Sequence, residues 1–79
     1  MKNCKGLDCL YDAEKEVLMA MAKAYADLHK ATRGFEQAGI ADIAKQISMI
    51  ATIETFKKQA GYEEWTIEEF LKLLDIHLD

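Results

Sequence analysis

The backbone of this chain has few built-in places to turn, because its 79 residues include no proline and only four glycines. Strand-rich folds need more turn residues than this. Apolar residues make up 51% of the chain but aromatic residues only 9%, so the apolar side chains are chiefly Ala, Ile, Leu and Met. Such a composition is typical of helical bundles. The sequence therefore predicts an all-α fold.

A chain of this length has room for one domain with a small core. We expect residues 1–7, which are charged and aperiodic, to form a flexible tail and residues 8–79 to form a single helical domain. The predicted fold is a long antiparallel helical hairpin with a short third helix packed across it. Because so small a core gains from extra burial, we expect this three-helix bundle to be completed by dimerisation.

The first predicted helix begins near Asp8 or Asp12 and carries a heptad seam. The seam consists of Leu18, Met21, Tyr25, Leu28, Thr32 and Phe35. Gly34 lies on the opposite, polar face, so we expect the helix to pass through it to about residue 38. Gly39 would then end the helix in the left-handed conformation. A break at Gly34 is the alternative.

The second predicted helix covers about residues 41–60, ends before Gly61 and carries two apolar stripes side by side. The first stripe consists of Ile40, Ile43, Ala44, Ile47, Ile50 and Ala51. The second consists of Met49, Ile53, Phe56 and Ala60. A helix that is apolar around so much of its circumference needs more than one neighbour. We therefore expect the first helix to cover one stripe, and a second copy of the chain to cover Met49, Ile53 and Phe56.

The third predicted helix has the strongest local start signal in the chain. Thr66 and Glu69 are spaced as a capping box, and Trp65 and Phe70 flank them as a hydrophobic staple. We expect this helix to run to the C-terminus. Leu73 and Ile76 lie off its apolar face and are therefore further candidates for an interface between copies.

Three polar residues are predicted to meet between the first two helices. If the hairpin turns near Ile40, positions whose numbers sum to about 80 face each other. Glu54 then lies opposite Tyr25, with His29 one helical turn away. Such a group could in principle perform acid–base chemistry, but we expect a polar contact that fixes the register of the bundle.

Residues 40–58 partly match a DNA-binding helix-turn-helix. Ile43, Ala44 and Ile47 fit its first helix, and Ser48 occupies the position where the motif usually has Gly. The candidate reading helix offers only Lys57 and Lys58 as cations. A straight second helix explains the same residues, so a helix-turn-helix regulator stays the alternative function.

The chemistry-bearing residues do not form a recognisable motif. We find no nucleophile motif, Gly-rich phosphate loop or metal-ligand spacing, and His29 and His77 are too far apart to pair on one helix. We therefore expect no catalytic site, no cofactor and no metal. The start of the chain lacks the apolar region of a signal peptide, which predicts a cytoplasmic protein whose Cys4 and Cys9 remain thiols. These cysteines could be inert, redox-active or metal-binding.

The charge is uneven along this acidic chain, whose net charge is −4. Residues 61–79 hold six acidic residues and one lysine, which gives −5 and leaves +1 for residues 1–60. Because no segment concentrates Lys and Arg, nucleic acid is not the expected partner. The sequence predicts a non-enzymatic protein–protein interaction module: a homodimeric regulator, adaptor or inhibitor that presents helical surface to a protein partner.

Overall fold

The computed structural model describes residues 6–78, in which there are three α-helices and no strand. Helix α1 spans Asp12–Thr32, α2 spans Ile40–Gln59 and α3 spans Ile67–Leu73. A short 3-10 helix, Leu7–Cys9, precedes them. The long helices α1 and α2 pack together, and the short α3 packs against α2. The predicted all-α hairpin with a short third helix is confirmed.

The core lies where the three helices meet. Its buried apolar residues come from all three helices and from both chain ends of the described part. They are Leu10, Leu18, Ala22, Tyr25, Ala26, Ile53, Ala60, Phe70, Leu71, Leu74 and Ile76. Leu10 belongs to this core, Leu7 packs against it, and the Gly6 N–H donates to the Ala60 carbonyl at 2.7 Å. The ordered domain therefore includes residues 6 and 7 of the expected tail, whereas residues 1–5 lie outside the described residues.

Helix α1 ends before Gly34, so the prediction of an unbroken helix through this residue was wrong and the alternative break is correct. Arg33 and Gly34 both have left-handed backbones, with φ values of 50° and 71°. The Gly34 N–H donates to the His29 carbonyl at 2.8 Å, which closes a Schellman-type end. Gly39 has φ of −75° and is the residue that precedes α2, so it does not end α1 in a left-handed conformation.

Helix α2 ends as predicted, at Gly61. This glycine has φ of 85°, and the Tyr62 N–H donates to the Lys57 carbonyl at 3.0 Å. A left-handed residue is needed for this bond, and glycine adopts that conformation without a steric penalty.

Helix α3 begins with the predicted capping box but is shorter than predicted. The Glu69 N–H donates to the Thr66 hydroxyl oxygen at 3.1 Å, and the Thr66 N–H donates to the Glu69 carboxylate at 2.9 Å. The helix ends because Asp75 adopts φ of 61° and the Ile76 N–H donates to the Leu71 carbonyl at 2.9 Å. This second Schellman-type end turns Ile76 back into the core.

Candidate protein-interaction surface

The two apolar stripes of α2 are not divided between α1 and a second copy as expected. Ile53 is fully buried within the single chain, and Met49 and Phe56 are half-buried against the core. The stripe expected to meet a second copy is thus the one that packs against α1 and α3. This placement corrects the prediction for Met49, Ile53 and Phe56.

The surface left outside is only part of the first stripe of α2, because Ile50 of that stripe packs against the core and Ile43 is half-buried. Ile40 is 88% exposed and Ile47 is 57% exposed. Ala44, which lies between them, and Ala51, one turn after Ile47, are also exposed. We call these four residues the outer stripe. Their spacing of four, three and four residues places them on one face of the helix. Phe35, in the loop that leads into α2, is exposed as well. Large apolar side chains that cluster on a surface are typical of interaction sites.

Leu73 and Ile76, the other two expected interface residues, differ in their exposure to solvent. Ile76 is buried in the core by the turn that ends α3, so it is not available to a second copy. Leu73 is 42% exposed and lines a groove of about 360 Å³ with Leu7 and Met19. Of the five residues predicted for an interface, Leu73 alone is exposed.

The predicted contact among Tyr25, His29 and Glu54 forms only in part. The rings of Tyr25 and His29 lie 5.7 Å apart between centroids. Among the described residues no hydrogen bond joins Glu54 to either of them, and its carboxylate pairs instead with the Lys57 ammonium at 2.7 Å. Successive residues are about 100° apart around a helix, so turning Ile53 inward turns Glu54 away. Burial of Tyr25 raises the pKa of its phenol above the ordinary value.

Gln46 makes the polar contact that does join α1 to α2. Its side chain is fully buried, and the amide nitrogen donates to the Thr32 hydroxyl at 3.0 Å and to the Gly34 carbonyl at 2.9 Å. Within residues 6–78, the buried Gln46 amide oxygen and His29 Nδ1 have no hydrogen-bond partner. The sequence places Gln46 in line with Ile53, seven residues away, but a glutamine at that position is ordinarily read as an outward-facing residue.

The buried side chain of Lys57 donates hydrogen bonds to the loop between α2 and α3. Only 1% of this residue is exposed, and its ammonium donates to the carbonyls of Tyr62, Glu63 and Trp65 at 3.2, 2.8 and 2.7 Å. The Glu54 carboxylate supplies the opposite charge. A buried ammonium is tolerated when it is paired and hydrogen-bonded in this way. The signal that could have revealed it is the position of Lys57 one turn before Gly61, because the buried carbonyls of the loop that follows need donors.

The helix-turn-helix alternative lacks its turn in this structure. Ser48, where the motif requires a break between two helices, lies within the uninterrupted α2. Lys57, one of the two lysines available to a reading helix, is buried. The geometry therefore does not place a recognition helix at residues 40–58.

Cys9 is disulfide-bonded, which contradicts the expectation of a thiol at this position. The other cysteine of the sequence, Cys4, lies outside the described residues. Disulfide bonds are typical of oxidising compartments, so this feature does not support the predicted cytoplasmic location. In the part of the chain from residue 6 to residue 78, no three His, Cys, Asp or Glu side chains are grouped as metal ligands.

Comparison with known proteins adds no relative: no family model, curated protein or solved structure matches this chain. Within residues 6–78, none of the helices combines the length and the apolar character needed to cross a membrane.

Proposed function

We propose that this chain is a non-enzymatic protein-interaction module that acts as a regulator, adaptor or inhibitor by presenting α2 to a protein partner. The observation that carries the proposal is the outer stripe, where Ile40 and Ile47 are exposed on one helical face. An apolar helical stripe that no other part of a domain covers is a common recognition surface for partner helices and grooves.

The two buried polar side chains of α2 have structural roles. Lys57 is closed off from solvent, and its ammonium is occupied by loop carbonyls and by Glu54. The nitrogen of Gln46 is likewise used on Thr32 and Gly34. These side chains hold loops in place, whereas a catalytic acid or base must reach a substrate.

The test is site-specific photocross-linking in an extract of the source cells. A benzophenone amino acid replaces Ile47 in one variant and Val17 in a control variant. Val17 is a suitable control because it lies on α1, away from the outer stripe, and is 50% exposed, similar to Ile47. We expect protein adducts at Ile47 to exceed those at Val17 several-fold. Equal labelling at the two positions would contradict the proposal.

A further inference from the structure

The outer stripe of Ile40, Ala44, Ile47 and Ala51 alternates large and small side chains. A surface of this kind packs best against one in which small residues face its large ones. The outer stripe of a second copy provides that surface when the two helices run antiparallel. In an antiparallel pair of identical helices, residues whose numbers have a constant sum lie opposite each other, and a sum of 91 matches each isoleucine with an alanine.

We infer that the outer stripe binds the outer stripe of a second copy of this chain, antiparallel and about a two-fold axis between Ala44 and Ile47. This inference rests on the proposed function and names the partner of the same surface. Ile40 faces Ala51 of the second copy, and Ala44 faces Ile47 of the second copy. A two-fold pairing of this type is closed, so association stops at the dimer.

The sequence around the stripe favours this register over its neighbours. Sliding the copies by one helical turn in one direction sets Glu54 or Thr55 opposite Ile40. Sliding them one turn in the other direction shortens the overlap and sets Ile47 or Ser48 opposite Ile40. The matched register overlaps residues 40–51, in which the charged residues are Asp42 and Lys45. Both lie off the stripe, so no charge lies between the two paired stripes.

The size of the contact sets its strength. Twelve overlapping residues extend about 18 Å along the helix axis. A contact of that length buries less than the roughly 800 Å² per partner of a standard stable interface. We therefore expect a weak dimer that exchanges with the monomer, with a dissociation constant of about 10 μM or higher.

Sedimentation equilibrium of the purified chain from about 10 μM to 1 mM tests the pairing, a range chosen to bracket a weak interface. We expect the average mass to rise toward that of a dimer. Ile47→Glu should keep the chain monomeric over the whole range, whereas Val17→Glu should not change the mass profile. Thermal unfolding followed by circular dichroism checks that both variants stay folded, as their half-exposed positions allow. A dimer that survives Ile47→Glu would overturn the inference.

A size swap tests the register. Ile47→Ala and Ala44→Ile should each weaken the dimer at least about tenfold, since one opens a cavity and the other overpacks the contact. The double variant Ala44→Ile/Ile47→Ala again sets each isoleucine against an alanine. We expect it to recover affinity to within about threefold of the parent. If the double variant is as weak as the sum of the single changes, the register is wrong.

The two proposals can fail separately. A purified chain that is monomeric at every concentration, yet still cross-links to a different protein through position 47, overturns the second copy as partner and leaves the proposed function intact. A monomer without specific cross-linking at that position overturns both.

Discussion

The two loops that flank α2 are held by the same kind of contact, but the two contacts differ in how fully their polar atoms are hydrogen-bonded. Each is held by a buried polar side chain of α2 that donates hydrogen bonds to loop carbonyls, Gln46 at the α1–α2 loop and Lys57 at the α2–α3 loop. The ammonium of Lys57 has three carbonyls and the Glu54 carboxylate around it. The amide nitrogen of Gln46 donates hydrogen bonds, but its buried oxygen has no partner among the residues that the structure describes.

Because of this difference, we expect Lys57 to contribute more to the stability of the fold than Gln46; we call these two side chains the anchors of α2. Hydrogen bonds from a charged donor are about twice as strong as neutral ones, and a buried polar atom without a partner is destabilising. The α2–α3 loop is therefore the more firmly held end of the helix. Gln46 and Lys57 both lie on the inner face of α2 with Ile53, which is the rotation of the helix that leaves the outer stripe at the surface.

Lys57→Met should give the largest loss of stability, about 3 kcal/mol. Methionine fills much of the same volume but leaves three loop carbonyls and the Glu54 carboxylate without their buried donor. Urea unfolding measures the change. Lys58→Met is the matched control, because Lys58 is exposed and should change stability by less than about 0.5 kcal/mol. Equal effects of the two substitutions would show that Lys57 is not an anchor.

The α2–α3 loop is also closed by the capping box of α3, and its removal should have the next largest effect. Thr66→Ala combined with Glu69→Ala leaves two backbone N–H groups without partners and should lower the free energy of unfolding by about 1 to 2 kcal/mol. Glu64→Ala removes an exposed charge outside the helix and serves as the control. A double variant that melts like the parent would contradict the capping role.

Gln46→Met should lower the free energy of unfolding by only about 1 kcal/mol. The substitution removes the donor to the Thr32 hydroxyl and one of two donors to the Gly34 carbonyl, which keeps the Thr32 hydroxyl as its other donor. It also removes the amide oxygen that has no hydrogen-bond partner among the described residues. Urea unfolding beside Gln59→Met, an exposed position of α2, isolates the effect of the buried amide. A loss as large as that of Lys57→Met would show that the two anchors are equivalent.

Gly34→Ala should destabilise the chain by about 1 kcal/mol, the reverse of what an unbroken helix would give. A Cβ atom would lie 3.5 Å from the His29 ring, an ordinary contact, so the penalty comes from the φ of 71°. Arg33→Gly should stabilise the chain by a similar amount, because Arg33 has φ of 50°. Thermal unfolding measures both, and a higher melting temperature for Gly34→Ala would contradict the left-handed end of α1.

The sequence by itself determined those features that depend on residues within one helical turn. Thr66 and Glu69 cap α3, and Gly61 ends α2, because their hydrogen-bond partners are three to five residues away and are present wherever the helix forms. The all-α class likewise follows from composition and spacing. These signals need no knowledge of what the helix packs against.

Only the tertiary structure decided which stripe of α2 faces inward and where α1 ends. The two stripes are similarly apolar, and the hydrophobic effect has no direction that would choose between them. The inward face also carries Gln46 and Lys57, whose buried partners exist only once α1, α2 and the loops have come together. Gly34 likewise accepts a hydrogen bond from a residue twelve positions away, so the loop it begins is fixed by α2. That rotation turned Ile53 into the core and left Ile40 and Ile47 exposed.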